Sequence, residues 1–154
     1  MLIYTFVLGI VATMVSSVLF QIYRLQAFIT DRALISENIK ALHKAIRDDM
    51  YLSDILLVET ATGDLVLTST FSAVPTVRYV LQDAQVMRIP ENGTAVAVTT
   101  ETVEVYNFTV ESLSTTSASG AIKISVGLRN YERGLIKPPV SQDLSSVLSI
   151  KYVL

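Results

Sequence analysis

The sequence predicts an α+β fold, a long N-terminal α-helix packed on an antiparallel β-sheet. Three observations carry the prediction. Residues 1–23 contain no charged side chain, residues 24–50 repeat apolar positions at spacings of three and four, and beyond residue 50 the pattern becomes short alternating runs separated by turn residues. The chain therefore divides into an apolar helix (1–23), an amphipathic helix (24–50) and a β domain (51–154). Charged residues are 17% of the chain, against roughly 25% in soluble domains, and the excess apolarity is concentrated in the first of these parts.

The opening stretch, MLIYTFVLGIVATMVSSVLFQIY, fits lipid. At 1.5 Å per residue its first 20 residues reach about 30 Å, the thickness of a bilayer's hydrocarbon core. A cleaved secretory signal would have a basic start and a shorter apolar run. The predicted membrane face comprises Met1, Leu2, Ile3, Phe6, Val7 and Leu8 in the first turns, then Gly9, Ile10, Val11, Val15, Val18, Leu19 and Phe20. The nearest basic residues, Arg24 and Arg32, follow the span, and by the positive-inside rule alone they would put the C-terminal side in the cytoplasm.

Beyond Arg24 the apolar positions Leu25, Phe28, Ile35, Ile39, Leu42 and Ile46 form a single stripe, predicted to cover the sheet. The first proline is Pro75, so nothing obliges a break between the two helical parts. One rod of about 50 residues would be roughly 75 Å long.

Strands are predicted at 55–59 and 65–69 around Gly63, at 77–82 and 86–89 around Asp83-Ala84-Gln85, and at 95–99 after the hairpin signal Asn92-Gly93. Two long strands, 103–113 and 121–128, flank the Ser/Thr/Gly-rich STTSASG. The polar stretch RGLIKPPVSQDLSS reads as an excursion before a closing strand at 147–153. Sequential hairpins favour an antiparallel sheet with one covered face.

Little in the chain suggests catalysis. There is no cysteine, which excludes disulfides, thiolate metal sites and cysteine nucleophiles. His43, the only histidine, reads as a solvated helical residue, and Asp48-Asp49 as helix-surface charge, since neighbouring helical side chains diverge. Asp143 could join backbone carbonyls in a calcium loop, on the thin support of one carboxylate. No serine sits in a G-x-S-x-G or S-x-x-K frame, and no Gly-rich loop offers a phosphate cradle. No catalytic, cofactor or metal site is assigned. With a net charge of −2 and interspersed signs, nucleic-acid binding is not expected. Tyrosines 4, 79, 106, 131 and 152 are dispersed, as packing residues are.

The start MLIYTFVLGIV resembles the N-terminal helix of type IV pilins and of the pseudopilins of type II secretion. Those usually carry a basic leader, a cleavage-site glycine and F-T-L-I-E ahead of an apolar run that contains a glycine, and Gly9 falls on that glycine's position if Met1 follows the glutamate. On this alignment the leader and F-T-L-I-E are missing, and with them the glutamate that neutralises a neighbour's terminal amine. IKALHKAIRDDM is similar to the end of the long helix in minor pilins and pseudopilins. VRYVLQDAQVMRI resembles their hairpin Y-x-L-x-D-x-x-L-x-R through Tyr79, Leu81, Asp83 and Arg88; VEVYNFTVES and AIKISVGL resemble the strands that follow. Ser17 stands where major pilins have a proline, which favours a minor subunit.

The resemblance implies a structural filament subunit and not an enzyme. It would be anchored in the inner membrane as a single-pass protein with its C-terminal domain outside the cytoplasm, then moved into a periplasmic or extracellular filament. Its partners would be lipid before assembly and other pilin or pseudopilin subunits afterwards. The competing expectation is a membrane-tethered extracytoplasmic binding or sensor domain that does not polymerise.

Overall fold

The computed structural model describes residues 2–53, 55–59, 64–69, 76–113, 119–130 and 141–151. Met1, the turn at Gly63, residues 114–118, residues 131–140 with Tyr131, and the chain from Tyr152 onward lie outside the described residues.

One helix, α1 (Leu2–Tyr51), runs without interruption through both helical parts of the sequence. Eight strands follow: β1 (Ile55–Glu59), β2 (Asp64–Thr68), β3 (Thr76–Gln82), β4 (Gln85–Pro90), β5 (Val96–Ala97), β6 (Val103–Ser112), β7 (Ser119–Asn130) and β8 (Ser141–Lys151). All pairings are antiparallel between neighbours in sequence. The strands make two sheets where one was expected, β1-β2-β3-β4-β5 and β6-β7-β8. The break falls after Ala97, and the sheets meet where Val105 N–H donates to Ala84 C=O at 2.8 Å.

The β3–β4 turn has two residues, Asp83 and Ala84, both at positive φ (51° and 59°), the backbone that a tight hairpin twist requires. Gln85 therefore belongs to β4 and not to the turn. This loop length sets the register so that Tyr79 lies directly opposite Arg88. In β6 the alternation slips between Val105 and Asn107, a bulge that returns Phe108 and Val110 to the core. The predicted strand at 95–99 is only two residues long, and Asn92-Gly93 lies in the connection that precedes it.

The core lies where the second half of α1 crosses the sheets. Ile35, Ile39, Leu42, Ile46 and Met50 pack with Leu65, Leu67, Val77 and Tyr79 of the first sheet and with Val105, Phe108, Ile122, Ile124, Val126 and Leu128 of the second. Leu25 and Phe28, expected on this stripe, are instead 59% and 43% exposed: the packed core begins at Ile35, and Phe28 only borders an open hollow beside Gln142 of β8.

β8 begins six residues before the predicted 147. Its Ser141, Asp143, Ser145 and Val147 are exposed and alternate with half-buried Gln142, Leu144, Ser146 and Leu148. An outer strand with a wet face accepts serines that read as a loop in the sequence. Asp143 is consequently a strand residue, not a member of a calcium-binding loop.

Candidate functional site

Two regions of one helix set what the molecule can do: an exposed apolar rod and a fixed base. In the rod, every large apolar side chain from Leu2 to Phe20 is exposed, from 41% at Ile10 to 88% at Leu2. The apolar window of α1 has a mean hydropathy of 2.2, and none of it is buried within the chain. The helix is thus long and apolar enough to cross a membrane.

Its hydroxyls also suit lipid. Thr5 Oγ1 donates to Leu2 C=O at 2.9 Å and Thr13 Oγ1 to Ile10 C=O at 2.8 Å, so these donors need no water. At the end of the span the Arg24 guanidinium folds back over the Phe20 ring, 4.7 Å from its centroid. Gly9 has nothing of its own chain within 4 Å of the position a Cβ would take. Its cost to the helix, about 1 kcal/mol relative to alanine, meets no requirement inside this fold.

The base is held by three polar ties. Asn130 Nδ2 donates to Asp31 Oδ2 at 3.0 Å; Asn38 Oδ1 accepts from Thr100 N–H at 2.7 Å while its amide donates to Leu34 C=O; and Asp49 takes Arg88 and Tyr79. The spacings of 7 and 11 residues return to within about 20° of the same direction at 100° per residue. The ties therefore line one edge of the apolar stripe.

The Asp49 tie is the strongest. Arg88 Nε meets Oδ2 at 2.6 Å and Nη2 meets Oδ1 at 2.9 Å, a two-pronged ion pair, and Tyr79 Oη donates to Oδ2 at 2.5 Å. Asp49 is thus a clamp residue with 13% of its side chain exposed, and not the surface charge expected; Asp48 does face solvent, with Arg47 at 3.8 Å. The direct opposition of Tyr79 and Arg88 lets both reach one carboxylate, which gives the YVLQDAQVMR hairpin its structural purpose.

Burial first, and the hydrogen bond to Asp49 second, push the Tyr79 phenol above its ordinary value. The bond to Asp49 likewise raises the Arg88 guanidinium, so this group stays charged at any working pH. Because the folded value of Tyr79 exceeds the unfolded one, its contribution to stability is complete below the ordinary phenol value of 10.0 and declines as pH rises past it. In an alkaline titration followed by phenolate absorbance, the step lost on Tyr79→Phe should lie above pH 10 and accompany loss of tertiary structure. A lost step at the ordinary phenol position would contradict the clamp.

On the second sheet, Tyr106 sits in the β6 bulge and lies across Gly127 of β7 to donate to Asp143 of β8. A Cβ at Gly127 would stand 2.5 Å from the Tyr106 ring and 2.7 Å from Asp143 Oδ1, so any larger residue would have to push this tie aside. The Asp143 bond raises the Tyr106 phenol, and Arg129, paired with Glu104 at 2.7 Å, holds that carboxyl below its usual range. These are ties between strands.

Protein-family models, curated proteins and solved structures offer no match to this chain. Its own geometry has to carry the reading. His43 is half-buried beside Leu144 and Ser146 in a hollow between α1 and β8, away from Asp49. Among the described residues no three His, Asp or Glu side chains converge as metal ligands. The sequence reading missed Asn38, Met50 and the clamping role of Asp49. The signal was available: two acids in the last turn oppose the helix dipole, and one of them lies three residues after Ile46 on the buried face.

Proposed function

We propose that the chain is a structural subunit, a minor pilin or pseudopilin, of a type IV pilus or type II secretion-like filament. One observation carries the reading: a single unbroken helix has an apolar first part that touches nothing in its own chain and a second part clamped to the sheets. A membrane anchor alone needs no rigid continuation into the folded head. A filament subunit does, because the rod must set the head's position relative to its neighbours.

Before assembly the Leu2–Phe20 segment is held in the inner membrane, with the head outside the cytoplasm. On assembly the segment leaves lipid for the helices of adjacent subunits. Apolar surface stays out of water throughout, so the exchange has a small net cost and is decided by packing. The unexplained Gly9 fits here, since glycine lets a neighbouring helix approach closely.

The absence of native cysteine makes the test direct. Single cysteines at Leu8 and Val15, expressed with the natural neighbouring genes, should yield oxidised cross-links to other subunits in filaments sheared from the cell surface or collected from the periplasm. Recovery solely from the membrane fraction, with no cross-link, would instead identify a tethered domain that does not polymerise.

A further inference from the structure

The face of α1 opposite its polar ties forms a groove with the outermost strand. Two hollows of about 440 and 390 Å³ follow one another along it. Ile39, Lys40, His43, Lys44 and Arg47 face Leu144 and Ser146 in the first, and Phe28, Ile29, Arg32, Ala33 and Ser36 face Gln142 in the second. Gln142, Leu144 and Ser146 are alternate residues of β8, so both hollows lie along one face of that strand, and helix and strand advance through them in the same sense.

Charge in the groove has one sign. Arg32, Lys40, Lys44 and Arg47 line it, and among the described residues no carboxylate does. Among the described residues the one ion pair reaching this row is Arg47 with Asp48, at 3.8 Å between exposed groups. The even scatter of charges in the sequence hides this row: of the four acids of α1, Asp31 and Asp49 turn to the sheets, while exposed Glu37 and Asp48 lie outside the two linings, Asp48 against Arg47.

Among the described residues, the strand forming the other wall is the last of its sheet. β8 pairs with β7 on one side, and among the described residues its other side pairs with no strand. An open edge offers N–H and C=O groups to another strand, and many proteins blunt such edges with lysine or proline. From Ser141 to Ser146 the edge carries neither.

We infer that this groove receives an extended acidic segment of a partner protein, added as a strand to β8 with its carboxylates turned toward the basic row of α1. The dimensions match. Lys40 and Lys44 are one turn apart, about 6 Å along the axis, and alternate side chains of a strand recur about every 7 Å. Main-chain bonds to β8 supply the affinity and the charge row selects the sequence. A nucleic acid fits less well: among the described residues the groove offers only Phe28 and His43 for base stacking, one in each hollow, and between them Ile39 and Leu144 are aliphatic. A bilayer reaches Arg32 but not Arg47, since the row extends about 35 Å beyond Arg24 along the rod. The inference needs only the folded head and does not depend on what surrounds the Leu2–Phe20 segment.

The test titrates a fluorescent eight-residue peptide of alternating glutamate and threonine into the full chain in non-ionic detergent. Saturable binding is expected, weakened at least tenfold by K40E/K44E, whose exposed side chains can change without loss of the fold, as circular dichroism of the variant verifies. The same peptide N-methylated at every residue keeps its charge but has no N–H to offer from either edge, and should also bind at least tenfold more weakly. Equal binding of the methylated peptide, indifference to K40E/K44E, absence of binding, or tighter binding of an oligothymidylate or of anionic vesicles would each overturn the inference.

Discussion

Replacing Asp49 with alanine should destabilise the head by about 2–3 kcal/mol, more than removal of any surface charge. The substitution leaves the Arg88 guanidinium, two-thirds shielded from water, without its partner and the buried Tyr79 hydroxyl without its acceptor. Breaking a fully buried pair costs 3–5 kcal/mol, and the partial exposure of Arg88 moves the figure below that range. Tyr79→Phe removes one hydrogen bond of three and should cost about 1 kcal/mol. Arg88→Lys keeps the charge but loses the fork that meets both carboxylate oxygens. Urea unfolding of the full chain in detergent checks each value, and the double variant D49A/R88A should be less destabilised than the two single losses combined. Strict additivity, or a loss below about 0.5 kcal/mol for Asp49→Ala, would mean that the clamp is a surface ion pair after all.

The clamp also shows where sequence reading stops. The helix was legible end to end, because no proline interrupts residues 2–51 and the stripe at Ile35, Ile39, Leu42 and Ile46 has helical spacing. Most strands were legible from alternation and turn residues, but the β6 bulge between Val105 and Asn107 was not part of that reading. Asp49 was not, since its identity as a clamp depends on a cross-strand register fixed 34 residues later by the two-residue turn at Asp83-Ala84. The first six residues of β8 were missed for a different reason: an edge strand with one wet face has little apolar signal, and SQDLSS reads as a loop until its pairing with β7 is known. Leu25 and Phe28 share the period of the buried stripe, but period reports which side of the helix a residue lies on and not how far the sheet extends. The basic groove was invisible in net charge, which cannot show that Asp31 and Asp49 are taken up by the sheets while Arg32, Lys40, Lys44 and Arg47 line one face of α1.

The two halves of α1 should therefore fail in opposite ways, and the apolar half is tested by Val11→Arg. Val11 lies near the middle of the uncharged stretch, where an arginine costs about 3 kcal/mol to place in a bilayer. At 1.4 kcal/mol per tenfold change that is roughly a hundredfold shift away from the inserted state, read as protein leaving the membrane fraction for soluble or aggregated material. Phe28→Arg, placed beyond the span between Arg24 and Arg32, should leave fractionation unchanged, because the interface already accommodates basic side chains there. Neither arginine should lower the unfolding midpoint of the head, since Val11 and Phe28 lie outside the packed core and away from the ties at Asp31, Asn38 and Asp49. Asp49→Ala should show the reverse, a weakened head still held in the membrane. If Val11→Arg left the protein in the membrane, lipid would not be what holds this stretch before assembly. If it lowered the head's midpoint as far as Asp49→Ala does, the apolar half would be packing on its own domain, and the division of one helix into a transferable rod and a clamped base would be wrong.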